Sequence, residues 1–214
     1  MRSPRTATPP ESLAPRSSLG RVVVLAQRLL AEVIRPDARL LDLTAGNGCD
    51  SLFLARHLGP DGQLLSFDIQ LSAIEATAVR LAAAGFLPRR VATRVPLHEP
   101  GCQLIHDGHQ FLDAYLTGPV AAAIGNLGYL PGGDKQLITR AETTLEALRA
   151  LWPRLEAGGR LALVLYPGHP GGDEECAAVE WECAGLPAAA FDVIRLQVYN
   201  RRRAPSLLVV ERRL

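Results

Sequence analysis

Apolar positions along this chain follow two alternating rhythms. Short, nearly unbroken apolar runs of strand length occur at 39–44 (RLLDLT), 63–69 (QLLSFDI), 103–106, 120–125 (VAAAIG) and 160–166. Between them lie segments in which apolar residues recur every three to four positions, at 19–34, 50–58, 72–84, 110–116, 139–155 and 176–184. The first rhythm is that of strands buried on both faces, the second that of helices packed over them. Ser72 is placed to cap its helix. Regular alternation of the two predicts an α/β fold, a Rossmann-like, doubly wound, mostly parallel sheet. The C-terminal end departs from the pattern. Runs at 191–199 and 207–212 read as two strands with no helix between them, which makes the last strand antiparallel. The count is seven strands. Segment 87–101 carries three prolines and reads as an excursion from the layered pattern.

Composition adjusts this picture in a few places. Hydrophobic residues make up 48% and aromatics only 5%, so Ala, Leu and Val must fill the core. A net charge of +1 argues against a strongly basic nucleic-acid scaffold but leaves room for a local patch, and Arg201, Arg202 and Arg203 run together. Lys135 is the only lysine, a bias that genome composition explains. Cys49, Cys102, Cys176 and Cys183 show neither CxxC pairing nor metal-ligand spacing with histidine, so free thiols in the cytoplasm and no metal are expected. No apolar run reaches the ~18 residues of a membrane span. Residues 1–18, rich in Pro, Ser, Thr and Arg, lack the apolar centre of a secretory signal. A transit peptide would share that composition; a short disordered tail is the expectation, with 19–214 as one domain.

The chemistry concentrates at strand ends. The first strand runs into Asp42-Leu43-Thr44-Ala45-Gly46-Asn47-Gly48-Cys49-Asp50. Glycines there let backbone approach a ligand, at the sheet edge where open α/β folds bind them. A lone GxG is weak evidence, because such turns are often purely structural. Two carboxylates strengthen it. Asp42 precedes the turn, and Asp68 ends the second strand, where a carboxylate can take both ribose hydroxyls. A dinucleotide enzyme would want a third glycine where Ser51 stands, and no GK[ST] follows for a P-loop. The acidic-residue-then-GxG order and the two-strand ending both resemble the S-adenosylmethionine-dependent methyltransferases. Asp107-Gly108 ends the third strand, where such enzymes commonly set an acidic residue near the adenine amine. A helix cap is the equal alternative for Asp107.

The fourth strand ends in Asn126-Leu127-Gly128-Tyr129, similar to the NPPY loop of amino-group methyltransferases with Leu-Gly replacing its two prolines. The Asn126 oxygen could accept an amine N–H and aim the nitrogen lone pair, and Tyr129 could stack on a base. Read blandly, Asn126 is a turn residue. Glycine-rich loops follow at 132–135 and 167–172, both candidate lids. Among the five histidines, His169 in the second loop is the candidate for chemistry, against a structural role.

Taken in order, DLTAGNGCDSLFLA, SFDIQ, NLGYLPGGDK, TRAETTLEAL and YPGHPGG resemble a small bacterial and plastid family of rRNA-methylase-like proteins, over 19–214. NLGYLPGGDK and GHPGG are the specific blocks. Some members of that family methylate the aminomethyl group of a modified wobble uridine in tRNA. The resemblance implies an S-adenosylmethionine pocket formed by Asp42, Gly46, Asn47, Gly48, Asp50, Asp68, Gln70 and Asp107, extended by Gly108 and His109. It implies an acceptor side of Asn126, Tyr129, Asp134, Tyr166 and His169, and RNA phosphate contact by Arg201, Arg202 and Arg203, a run that a solvated turn explains as well. Two departures stand out: Cys49, where the family more often carries histidine, and the long, proline-rich excursion. The expectation is therefore a cytoplasmic tRNA amine methyltransferase with no membrane association, able to form a homodimer. The same enzyme class acting on rRNA or a small-molecule amine is one alternative. An NAD-dependent oxidoreductase and a non-catalytic nucleic-acid-binding module are alternatives from other classes.

Overall fold

The computed structural model of the chain describes residues 21–128, 132, 137–168, 170–201 and 203–214. The expected tail at 1–18 lies outside them. The strands are β1 (Arg39–Asp42), β2 (Gln63–Asp68), β3 (Arg89–Val91), β4 (Gly101–His106), β5 (Val120–Leu127), β6 (Leu155–Leu165), β7 (Phe191–Gln197) and β8 (Ser206–Arg212). They form one sheet in the order β3-β4-β2-β1-β5-β6-β8-β7. The first six in that order run parallel; β8 is antiparallel to β6 and to β7.

The parallel sheet and antiparallel ending are those the pattern predicts. The strand count is eight, not seven. The additional strand, β3, lies inside the expected excursion. It has three residues, two of them exposed arginines, and pairs only with β4. A short polar edge strand after Pro88 carries no apolar rhythm to read, and such edges resist further pairing. The predicted helix over 139–155 also runs too long. Helix α4 spans Ala141–Leu151, and β6 begins at Leu155. Pro153 stops the helix because it has no N–H to continue the ladder, although Trp152 before it still holds helical geometry and donates to Leu148 O at 3.0 Å. Strand β6 then pairs through an irregularity at Gly158 and Gly159. Gly158 has φ +77°, and a Cβ on Gly159 would stand 2.9–3.0 Å from three backbone oxygens, so only glycine fits there.

Period-2 alternation sends strand side chains to two layers. Leu41, Leu65 and Phe67 pack with α4, with α5 (Gly172–Ala184) and with a 3-10 helix (His109–Ala114). Leu40, Leu64 and Leu104 pack with α1 (Val22–Ala31), α2 (Cys49–Ala55) and α3 (Leu71–Ala83). Ala121, Ala122 and Ala123 in β5 keep the sheet thin where both layers meet it. Among the described residues no helix is long and apolar enough to cross a membrane.

Strand order reverses at β1, which has β2 on one side and β5 on the other. Their carboxyl ends diverge there, and a crevice opens above them.

The core should respond as a close-packed one. Phe67 is fully buried and meets the Tyr115 ring edge-on at 5.5 Å. Phe67→Ala should lower unfolding free energy by about 3–5 kcal/mol. Val79→Ala, at a residue 70% exposed, should change it by less than about 0.5 kcal/mol. Urea unfolding midpoints of the two variants check this.

Candidate active site

The turn after β1 is fixed from several sides. Thr44 N donates to Asp42 Oδ1 at 3.1 Å, and Gly46 N to Asp68 Oδ2 at 2.9 Å. Ala45 N donates to Phe67 O at 2.8 Å, and Asn126 N to Thr44 Oγ1 at 2.7 Å. Gly48 has φ +74°, and a Cβ there would lie 2.8 Å from Thr77 Cα, so the turn can press against α3 only with glycine at this position. The Arg80 guanidinium donates to Asn47 O at 2.6 Å.

A cavity of about 690 Å³ lies above this turn, within the range of small-molecule sites. The turn supplies Gly46, Asn47, Cys49 and Asp50 to its wall; the ends of β2 and β4 supply Asp68, Gln70, Asp107 and His109. Asn126 and Tyr166 close it from β5 and β6, and Arg140 and Arg203 stand at its margin. Most of the residues singled out from the sequence therefore converge. Asp42 and Gly48 act beneath the turn instead, and Gly108 and Arg201 are not part of the wall. Tyr129, Asp134, His169 and Arg202 lie outside the described residues.

Electrostatics separates the carboxylates. Asp42 is fully buried; burial first, then the neighbouring Asp50 charge, push its carboxyl up to about 7. It accepts from Ser51 Oγ at 2.6 Å, and that hydroxyl lies 2.9 Å from Ser66 Oγ. Burial likewise raises Asp50, against the donors Gln27 and Asn126. Asp50 Oδ1 accepts from Gln27 Nε2 at 2.7 Å and Oδ2 from Asn126 Nδ2 at 2.6 Å. Burial also raises Asp68, whose oxygens accept from Gly46 N and from Gln70 N, the latter at 2.9 Å.

Asp107 differs. Burial would raise it, but donors outweigh burial and hold it below the usual carboxylate range. Arg94 grips both oxygens at 2.6 and 3.0 Å, Tyr115 Oη donates at 2.8 Å and Gly108 N at 2.9 Å. Four donors fill the lone-pair sites of a carboxylate, so an adenine amine would have to displace one. Arg94 also covers the Phe111 ring at 3.4 Å. The excursion thus bolts the end of β4 in place.

Among the described residues, two buried acceptor atoms on the cavity wall have no partner: Asn126 Oδ1 and His109 Nε2. His109 Nδ1 lies 3.1 Å from Leu43 O, which fixes the proton on that nitrogen. Burial lowers the His109 pKa and keeps the ring neutral, so Nε2 presents a lone pair. A ligand completing this wall must bring N–H or O–H donors.

The sheet order, the antiparallel ending and a carboxylate-braced glycine turn under the cavity define a class I methyltransferase fold. The chain belongs to the family described as "Putative rRNA methylase", which matches residues 64–212. It is 36% identical over 190 residues to the Arabidopsis thaliana protein named "tRNA (mnm(5)s(2)U34)-methyltransferase, chloroplastic". That match covers 85% of this chain and 66% of the plant protein, so the chain spans just under two thirds of that relative's length. A "putative rRNA-methylase" structure from Clostridium thermocellum superposes with TM-score 0.80 at 33% identity, covering 89% of this chain and 97% of that one. A "putative methyltransferase" from Streptococcus mutans in complex with SAH superposes with TM-score 0.76 at 34% identity, covering 90% of this chain and 98% of that one.

Three contributors were not singled out from the sequence. Gln27 reaches Asp50 from α1, Arg94 reaches Asp107 from the excursion, and Thr44 takes the Asn126 amide. Only Thr44 had an accessible clue, its place inside the glycine turn.

The raised Asp42 carboxyl has a measurable consequence. An unfolded aspartate ionises near 3.8, while the folded one holds its proton to about 7. The native state therefore binds more protons in that window, and unfolding free energy should fall as pH rises from about 4 to about 7. Asp42→Asn, which is nearly the same shape and cannot ionise, should flatten that fall. Urea unfolding between pH 4 and pH 8 checks both slopes; equal slopes for the two proteins would show that Asp42 ionises normally in the fold.

Proposed function

We propose that this chain is an S-adenosylmethionine-dependent RNA methyltransferase that N-methylates the aminomethyl group of a modified wobble uridine in tRNA. The observation that carries the reading is the unpartnered Asn126 Oδ1, buried at the end of β5 beside the carboxylate-braced turn. The plant relative's name supports the acceptor, and the family's description keeps rRNA as the second reading. Cytoplasmic residence and self-association belong to the same proposal; the plant relative is named as chloroplastic.

The wall residues fit this cofactor. Asp68 keeps lone pairs for two ribose hydroxyls after accepting from Gly46 and Gln70. Gly46 leaves the turn without a side chain where the amino-acid tail would pass. His109 Nε2 can accept one N–H. When bound, S-adenosylmethionine supplies an electrophilic methyl group on a sulfonium.

What remains is to present a neutral nitrogen to that methyl. A free alkyl ammonium resembles lysine, with a pKa of about 10.4, so the site must help it lose a proton. Asn126 cannot take the proton, because an amide is no base at neutral pH. Its oxygen instead accepts the amine N–H and fixes the lone pair along the transfer axis. Asp134 and His169 are the proposed proton acceptors, directly or through water. Arg203 at the margin, with Arg201 and Arg202 beside it, is proposed to meet RNA phosphate. Its ion pair with Asp173 at 2.7 Å is exposed and weak enough to exchange.

Incubation of the protein with S-adenosylmethionine and unmodified-methyl tRNA, followed by nucleoside mass spectrometry, should yield a methylaminomethyl uridine at the wobble position. Methylation confined to rRNA would move the acceptor to the second reading. Asn126→Ala should cut single-turnover transfer about a hundredfold with cofactor affinity nearly unchanged. Asp68→Ala should weaken calorimetric S-adenosylmethionine binding about tenfold, the scale of a lost charge-assisted bond.

A further inference from the structure

We propose that Asp50 is the positioning residue of the acceptor site, fixing which end of the Asn126 carboxamide faces the incoming amine. This rests on the reading that Asn126 orients that amine.

A carboxamide has a donor end and an acceptor end of nearly the same shape. If Asn126 turned over, its NH₂ would meet the amine, donor against donor, and the lone pair would no longer be aimed. Something must choose between the two orientations. A hydroxyl or an imidazole cannot, since each can donate or accept. An ionised carboxylate only accepts. Asp50 Oδ2 lies 2.6 Å from Asn126 Nδ2, and the flipped amide would set two acceptor oxygens at that distance. The remaining acceptor, Asn126 Oδ1, is left buried beside the cavity with no partner among the described residues.

Asp50 is itself held. Its other oxygen accepts from Gln27 Nε2 at 2.7 Å, on α1, whose Val23 also lines the cavity. The residue is 6% exposed, so water does not compete strongly for either oxygen. Three elements, α1, α2 and β5, thereby meet through one carboxylate. The bonds span 23 and 76 positions of sequence and form only in the folded sheet. The sequence places Asp50 in the cofactor pocket; in the fold each of its oxygens also accepts one protein donor.

The test is a double-mutant cycle with an independent structural readout. Asp50→Asn offers Asn126 either a carbonyl or an NH₂, and so loses the choice while keeping the shape. Turnover should fall about tenfold or more, with S-adenosylmethionine affinity and the KM for tRNA within about twofold of the parent. In an Asn126→Ala background the same change should have almost no further effect, because the two residues act as one unit. In ¹⁵N spectra, the Asn126 side-chain NH₂ pair, assigned by its loss in Asn126→Ala, should lie apart from the free amide region and move back toward it in Asp50→Asn. If Asp50→Asn unfolds the protein, Gln27→Ala, which frees one Asp50 oxygen, should show the same kinetic split and a smaller shift of that NH₂ pair. Cofactor affinity falling in step with turnover would make Asp50 a cofactor ligand and overturn the proposal. Additive effects in the cycle, or an unmoved NH₂ signal, would overturn it as well. Full activity of Asn126→Ala would instead bring down the parent reading, and the positioning role with it.

Discussion

The site depends on how the backbone of one turn is satisfied. Between the end of β1 and the start of α2 the chain must reverse tightly under a cavity, which leaves Thr44 N and Gly46 N without strand or helix partners. Carboxylates take them: Asp42 holds Thr44 N and Asp68 holds Gly46 N. The turn in turn presents Thr44 Oγ1 to the amide of Asn126, tying the end of β5 to it. Cofactor wall and acceptor strand are thus one hydrogen-bonded object, and side chains on both inherit their places from it.

That arrangement concentrates negative charge where water is scarce. Burial pushes both Asp42 and Asp50 up, and the Asp50 charge adds to the cost of ionising Asp42. The fold offsets this with donors placed on each oxygen rather than with cations: Ser51 and Thr44 for one, Gln27 and Asn126 for the other. Neutral donors stabilise a carboxylate without closing the cavity to a cationic or amine-bearing ligand. Asp107 shows the contrasting solution. Arg94 neutralises it, and it becomes part of the frame.

The layered fold was legible because burial on both faces leaves continuous apolar runs, and a strand such as β5 contains little else. The turn was legible because Gly46, Gly48, Asp42 and Asp68 are residue types whose placement has a local reason. What escaped is what tertiary contact decides. Strand β3 carries no apolar signature, and its pairing with β4 is a property of the sheet edge. Arg94 looked like one basic residue in a proline-rich stretch, yet its fork closes on Asp107 13 positions away. Asp50 read as one more acidic residue after the glycines. Only the meeting of α1, α2 and β5 shows that its partners are amides.

The same hydrogen bonds distinguish between cofactors that share this fold. A dinucleotide would rest its pyrophosphate on the turn's free N–H groups, at the start of the following helix. Here Thr44 N and Gly46 N are already bound to carboxylates, Ala45 N to Phe67 O, and Gly48 N to Ala45 O at 2.8 Å. A pyrophosphate placed there would meet Asp50 and Asp68 with few donors left to receive it. The buried wall atoms without partners are acceptors, Asn126 Oδ1 and His109 Nε2. Those two acceptors suit a ligand carrying an ammonium, an exocyclic amine and ribose hydroxyls. S-adenosylmethionine carries all of these, and an aminomethyl acceptor adds one more N–H donor. The arginines stand only at the margin, where a polyanion can approach without entering. Charge is graded from an acceptor-lined interior to a basic rim. An RNA that delivers a single amine inward while its phosphates stay outside meets both halves of that gradient at once.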